Sequence, residues 1–338
     1  MIITCPDSFA NYNDKWKVFL AGPIQGASKW QFDLPDIEGV VWISPRRKDY
    51  DLNDTTHSQQ MQWETDALRA ANIVLFWIPK EVEDIPGRAY AQTTRFELGE
   101  NIARGKRIIL GTYEDFPSRP YFEYKVTKYS NVIGGKVHNS LDECIETLKN
   151  YIDEHKSYNT YFTSDTHFSS ERALKLSTRP FANIEEMDWR MIENWNNVVN
   201  PNDYVYHLGD FGDEWPLQYL SGKITLIDGN YEHEGKYNIN SALVHNHSKD
   251  YEIIAYDKNL NGSFILIHEP VKCKEIVDKH NGELFGLYGH IHGRQWIKKF
   301  GIDVGVDCNN FTPVSAEKVN FYRNAVEKNM YDENVWIQ

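Results

Sequence analysis

The second half of this chain is a series of short, apolar, β-prone runs, each of which ends in residues able to ligate a metal. Tyr161 to Ser164 delivers Asp165 and His167, which point the same way if the extended chain continues. Asp210 follows Tyr204-Val-Tyr-His-Leu208, Asn230 follows Ile224-Thr-Leu-Ile-Asp228, His268 follows Phe264-Ile-Leu-Ile267, and Gly289-His290-Ile-His292 ends the series. This order constrains the fold, because ligands of α/β sheets gather at the carboxyl ends of the strands, where blocks distant in sequence converge. A carboxylate such as Asp210 can bridge two cations about 3.5–4 Å apart and help hold a water that becomes hydroxide near neutral pH. His and Asp with one Asn amide oxygen suit manganese, iron, zinc or nickel better than calcium.

With 12 histidines in the chain, some coincidences are expected, and His245, His247 and His280 read as incidental. His207, inside Tyr-His-Leu-Gly-Asp, could orient a ligand but reads first as a structural residue. Seven ligand types in five ordered blocks do not read as coincidence.

The five blocks resemble the calcineurin-like metallophosphoesterase family from about Tyr161 to about Val314, and VYHLGDFG, LIHEP, GHIHG and DVGVDCN are similar to its small bacterial and phage-type branch. The resemblance implies an α/β/β/α sandwich with two divalent cations, manganese first and iron, zinc or nickel as alternatives. Asp165, His167, Asp210 and His292 would hold one cation, and Asp210, Asn230, His268 and His290 the other. The family has a histidine directly after the Asn of the third block, whereas this chain reads Gly229-Asn230-Tyr231-Glu232-His233. His233 is either the same imidazole on a shifted loop, able to protonate a leaving oxygen, or a solvated loop histidine.

At 338 residues the chain has room for two ordinary domains. A formal charge of −13 argues against stable nucleic-acid binding, which needs a basic surface, but small phosphorylated substrates remain compatible because bound cations reverse the local sign. No apolar stretch reaches membrane-spanning length, and Met-Ile-Ile-Thr-Cys-Pro-Asp lacks a charged n-region and a long h-region, so a cytoplasmic location is expected. Cys5, Cys144, Cys273 and Cys308 are far apart and form no CxxC pair, which predicts reduced structural thiols. Ser140 to Ile152 reads as a helix with a capping box at Ser140 and Glu143, and the polar stretch after it reads as a linker. The expected domains are therefore 1–156 and 157–338. Ile184 to Val199 reads as a second amphipathic helix whose Met191, Ile192, Trp195 and Val198 stripe is core.

In the first half, residues 17 to 135 alternate β-prone runs with helix-like segments, which predicts a parallel, flavodoxin- or Rossmann-like sheet covered by helices. The expected strands are Val18 to Ala21, Val40 to Ile43, Ile73 to Ile78 and Arg107 to Leu110. The first ends in Ala21-Gly22-Pro23, where glycine lets a ligand approach the backbone and the following amides could hold a phosphate or a sugar hydroxyl.

FLAGPI, PRR, QWETDAL, IVLFWIP, TTRFELGE and KRIILG together resemble the nucleoside 2-deoxyribosyltransferase family over roughly Lys17 to Tyr121. The resemblance implies that Glu97 attacks the anomeric carbon and holds the deoxyribosyl group as an ester, as retaining glycosidases do. Asp66 and Glu64 are candidates for the acid that protonates the departing base, and Gly22, Pro23, Trp63, Asn72 and Arg95 are candidate substrate contacts. Where the family often has Asp, this chain has Asn72, and an amide cannot serve as that acid. The alternative for Glu97 is an ordinary helix-start carboxylate favoured by the macrodipole. The resemblance also implies pockets built between subunits, hence a homo-oligomer.

The two resemblances imply a bifunctional enzyme of nucleotide metabolism that makes or breaks an N-glycosidic bond in one domain and hydrolyses a phosphoester in the other. The alternative is a metallophosphoesterase regulated or targeted by a non-catalytic, nucleotide-sensing first domain.

Overall fold

The computed structural model describes residues 1–47, 54–240, 242, 244–254 and 256–328, so residues 329–338 of the expected second domain lie outside the described residues. The chain divides into two compact units, Met1–Lys156 and Ser157–Gln338.

The first unit contains strands β1 (Ile2–Thr4), β2 (Trp16–Ala21), β3 (Val40–Ser44), β4 (Ile73–Ile78), β5 (Arg107–Thr112) and β6 (Val132–His138). Its helices are α1 (Asp54–Ala70), α2 (Gln92–Ala103), α3 (Arg119–Val126) and α4 (Leu141–Glu154). The strands form one sheet in the order β1-β3-β2-β4-β5-β6, and all pairs are parallel. β2, β3 and β4 are buried at every position, which is why they read as unbroken apolar runs: both faces of a parallel sheet are covered. Leaving aside the edge strand β1, this is the flavodoxin-type order, and its winding reverses between β2 and β4. A crevice at the carboxyl ends of the strands near that reversal is expected from the topology.

Helix α4 begins as its capping residues dictate. Ser140 Oγ accepts from Glu143 N at 3.2 Å, and Glu143 Oε2 accepts from Asn139 N at 3.0 Å. Its Cys144, Ile145, Leu148 and Ile152 pack with Trp16, Leu75, Trp77 and Ile109. At the opposite end of the sheet from the crevice, the fully buried Lys106 donates to Arg69 O (2.7 Å) and Ala71 O (3.0 Å).

The second unit runs β7 (Thr160–Thr163), α5 (Glu171–Leu176), α6 (Ile184–Val198), β8 (Tyr204–His207), β9 (Lys223–Ile227), α7 (Asn230–His233), β10 (Asn246–Ser248), β11 (Tyr251–Ile254), β12 (Ser263–Ile267) and α8 (Pro270–Lys279). It ends with β13 (Leu284–Tyr288), β14 (Ile297–Lys298), β15 (Gly301–Asp303), β16 (Val314–Ser315) and α9 (Ala316–Glu327). Two five-stranded sheets result, β10-β9-β8-β7-β16 and β11-β12-β13-β15-β14. Their central strands are parallel, and β16, β11 and β14 are antiparallel edges. The sheets share one core: Phe162, Ile227 and Val314 from the first meet Phe264, Leu266, Phe285, Leu287 and Ile302 from the second.

Helices cover the outer faces. On the first sheet, α6 is tied down by Trp195 Nε1 donating to Ser221 O (2.9 Å) and Tyr161 OH donating to Val198 O (3.0 Å). It stops at Val198, one residue before the sequence reading, because Val199 turns extended ahead of Asn200-Pro201. On the second sheet, α8 sets Cys273 and Val277 against Ile265, Ile267 and Tyr288. The strand expected to run to Ser164 stops at Thr163, freeing Ser164 for a bridge to Gly305. All four cysteines are free thiols. Among the described residues, no helix is long and apolar enough to cross a membrane.

Phe162 lies at the centre of the shared core with no exposed surface. Phe162→Ala is expected to lower the unfolding free energy of the second unit by about 3–5 kcal/mol, read from denaturant melts of the full chain.

Candidate functional site

In the second unit, parallel strands stop and polar side chains begin. β7 leads into Asp165 and His167, β8 into Asp210, β9 into Asn230, β12 into His268, and β13 into His290 and His292. Asp165, His167, Asp210, His290 and His292 all take positive φ (57°, 48°, 55°, 75° and 50°), a left-handed backbone that costs non-glycine residues energy and clusters at functional sites. Gly289 is obligatory here, since a Cβ on it would collide with Ser164 Oγ and Asp165 Oδ2.

The seven side chains converge. Asp165, His167 and His292 offer ligand atoms within 4.8 Å of one another, as do Asp165, Asp210 and His268. Asp210 Oδ2 lies 3.5 Å from both His167 Nε2 and His268 Nε2, midway between the two groups. Asn230 Oδ1 sits 3.0 Å from His268 Nε2 and 2.9 Å from His290 Nδ1. Lone pairs therefore face one another across a small space, buried around Asp165, Asp210 and His268 and open at the exposed His290, and Asp165 Oδ1 has no hydrogen-bond partner there. Such a donor set fits two divalent cations. The His268 imidazole reports the same imbalance: burial alone would lower it, but hydrogen bonding and charge from Asp210, with the charge of Asp165, raise it to about 9.

The ligand atoms are aimed by groups around them. His292 Nδ1 meets Asp307 Oδ2 at 2.7 Å, which turns Nε2 toward Asp165. Burial would raise the Asp307 carboxyl, but hydrogen bonds from His292 and Arg179 hold it below the usual carboxylate range. The buried Arg179 grips Asp307 with Nε and Nη2, both at 2.9 Å, and donates to Thr166 O (2.8 Å) and Asp165 O (2.6 Å). His268 Nδ1 bonds to Leu208 O (2.8 Å), and His167 Nδ1 to Tyr237 OH (3.0 Å). Burial lowers His167 to about 4 against the pull of Asp165 and Asp210, which keeps it neutral.

His207 holds the first loop in place. Thr166 Oγ1 donates to Phe211 O (2.7 Å), so it accepts from His207 Nε2 (2.9 Å), and burial pushes that imidazole down to about 3. Where the resemblance led us to expect a second histidine, Tyr231 stands instead, and Glu232 accepts from Gly229 N, Asp210 N and Phe211 N, each at 2.9 Å. Asp307, Arg179, Glu232 and Tyr237 were not singled out by sequence reasoning. His233 is exposed and lines a cavity of about 270 Å³ together with Asn230 and His268. His247, read as incidental, pairs its Nε2 with Asp228 Oδ1 at 2.5 Å.

In the first unit a cavity of about 260 Å³ opens at the carboxyl ends of β2 and β3. It is lined by Gly22, Pro23, Glu64 and Glu97 together with Arg88 and Tyr90, two residues the sequence analysis did not single out. Gly22 permits the strand end to press against β4, since a Cβ would collide with Trp77 O. Helix α2 begins at Gln92, so Glu97 lies beyond the first turn, where the macrodipole is weak. Burial, then the charges of Glu64 and Glu100, raise the Glu97 carboxyl to about 8. Glu64 Oε1 accepts from Gln60 Nε2 at 2.7 Å.

Four expected contacts do not line this cavity. Asp66 and Trp63 lie roughly 160° and 100° around helix α1 from Glu64. Asp66 instead accepts from Gln62 and faces Arg69, and Trp63 donates to Asp7 O and packs edge-on against Phe9. Arg95 is on the far side of α2 from Glu97, its guanidinium 5.1 Å over the Phe116 ring. Asn72 is fully buried at the amino end of β4, where its Oδ1 accepts from Lys17 N (3.0 Å) and its N–H donates to Lys17 O (2.8 Å). It ties strands together at the end of the sheet away from the cavity.

Residues 15–116 match the family profile described as "Nucleoside 2-deoxyribosyltransferase like". The protein of unknown function AQ665 from Aquifex aeolicus, a crystal structure, is 23% identical with a TM-score of 0.40, over 49% of this chain and 99% of that one. The "Uncharacterized protein MJ1445" of Methanocaldococcus jannaschii is 32% identical over 175 residues, spanning 47% of this chain and 88% of the relative. The chain thus carries a nucleoside 2-deoxyribosyltransferase-like domain in its first unit, and it belongs to the family of this archaeal protein.

Proposed function

We propose that the chain is a bifunctional enzyme of nucleotide metabolism, a two-metal phosphoesterase in the second unit and a nucleoside N-glycosidic enzyme in the first. The observation that carries the phosphoesterase reading is the meeting of seven ligand-type side chains at five strand ends, with Asp165 Oδ1 unsatisfied among them. Two divalent cations, manganese first, would supply Lewis-acid polarisation of a phosphoester and a hydroxide-strength nucleophile near neutral pH. Asp165, His167, Asp210 and His292 would hold one cation, and Asp210, Asn230, His268 and His290 the other. Asp307 and Leu208 O fix the orientations of His292 and His268. His233, on the wall of the adjoining cavity, is the candidate proton donor to the leaving oxygen.

In the first unit the reading rests on Glu97 and Glu64 lining one cavity of a nucleoside 2-deoxyribosyltransferase-like domain. Burial, then the charge of Glu64, raises the Glu97 carboxyl to about 8. In the reaction, Glu97 as carboxylate bonds to the anomeric carbon while the C–N bond to the base breaks. Glu64 is the candidate acid that gives the departing base its proton, and water or another base then releases the ester. The same raised carboxyl favours a second reading, a nucleotide-sensing domain that binds without turnover, because a neutral Glu97 is no nucleophile.

The two activities separate by mutation. With deoxynucleotides and manganese, Asp210→Asn is expected to abolish phosphate release and spare base release, and Glu97→Ala to do the reverse. If neither variant changes its product, the reading fails; tight nucleotide binding by calorimetry with no base release over hours would move the first unit to the sensing role. Asp307→Ala is expected to weaken manganese binding about 10–100-fold by equilibrium dialysis. For Glu97 the linkage sign is definite: a folded pKa above the unfolded one means stability present at low pH is lost as pH rises through about 8. Glu97→Gln is therefore expected to raise the melting temperature at pH 9 and leave it nearly unchanged at pH 5.

A further inference from the structure

The cavities beside the strand-end cluster differ in charge. One, about 270 Å³, opens on Asn230 and His268 and is walled by Asp228, Asp250, Glu269 and Glu275, with Lys272 already paired to Glu269 at 2.8 Å. The other, about 460 Å³, opens on His167, His290 and His292 and shares no lining residue with the first. On its rim stand Arg172 and Arg294, both exposed, and neither guanidinium has an ion-pair or hydrogen-bond partner among the described residues. Nearby Lys236, over the ring of the cavity-lining Tyr231, is already paired to Glu234 and so leaves the two arginines as the unpaired charge. In a chain of net charge −13, two unpaired arginines facing a metal-type cluster form a local exception that a structural role does not explain.

We propose that this second cavity is an anion subsite in which Arg172 and Arg294 hold a second phosphate of the substrate, so that the phosphoesterase acts on bisphosphorylated small molecules. The proposal rests on the two-metal reading of the neighbouring cluster. Guanidinium forks suit phosphate because they bond it in pairs, and the acidic wall of the other cavity repels a second anion, which leaves one way for such a substrate to lie. In the reaction, water adds to the phosphorus over the cluster, the bond from phosphorus to the leaving oxygen breaks, and that oxygen takes up a proton. The second phosphate stays intact on the arginines.

The test compares deoxythymidine 3′,5′-bisphosphate and deoxythymidine 5′-diphosphate with the 5′-monophosphate, on the full chain. Two readouts are taken: kcat/KM with saturating manganese, and calorimetric affinity for the metal-stripped protein. At least one of the two doubly phosphorylated probes should be preferred about tenfold or more in both readouts, the scale of a charge-assisted hydrogen bond. In Arg172→Ala/Arg294→Ala that ratio should collapse through KM, and the Lys/Lys variant should recover part of it. No preference in the parent chain, or a preference that survives the double alanine variant, overturns the subsite. Arginine-dependent binding without any hydrolysis would keep the subsite and discard the phosphoesterase reading, whereas hydrolysis without the preference would do the opposite.

Discussion

The second unit turns on one buried ion pair, Arg179 with Asp307. The arginine grips the carboxylate with two nitrogens and spends its remaining donors on the carbonyls of Asp165 and Thr166, while the carboxylate aims His292. One contact therefore sets the backbone of the first loop and the imidazole of the last. A buried pair of this kind need not add net stability, but removing either partner strands a charge, which typically costs about 3–5 kcal/mol. The five left-handed residues at the ends of β7, β8 and β13 need such over-determination, because their own backbone preference works against them.

The same logic of buried carboxylates separates the two units chemically. Around Asp165 and Asp210 the negative charge is met by imidazoles, and in their absence of full compensation His268 is driven to about 9. Around Glu97 burial comes first and the charges of Glu64 and Glu100 add to it, which raises the carboxyl to about 8. The first environment pairs carboxylates with imidazoles, and the second sets carboxylates beside one another. Both sit where parallel strands end, the position that strand topology reserves for ligands.

The strands that carry the seven ligand types were legible because an apolar run and a polar stop are both local features of sequence. The supporting residues were not: Arg179 and Asp307 are 128 positions apart, and neither belongs to a periodic pattern. Glu232 was not legible for another reason: its three partners are backbone amides, two of them 22 and 21 residues away, which leave no side-chain pattern in the sequence. The unused first-unit candidates were partly readable. Helical phase puts Gln60 and Glu64 on one face of α1 and Asp66 on the opposite one. Asn72 comes directly before a strand, and therefore at the end of the sheet where parallel folds do not gather ligands. Arg88 and Tyr90 lie in an irregular stretch between β4 and α2, where no period exists to show which way a side chain faces.

The turn after Asn230 holds Asp210 from two sides. Tyr231 N donates to Asp210 Oδ1 at 3.0 Å, and Glu232 takes up the amides of Gly229, Asp210 and Phe211. The Tyr231 backbone amide and the Glu232 carboxylate both fix Asp210, the group midway between the two ligand sets. The next side chain along, His233, is one helical step further, exposed, and already on the wall of the adjoining cavity. The turn thus gives the Tyr231 amide and the Glu232 carboxylate to holding Asp210 and its loop, and the imidazole that follows them is His233.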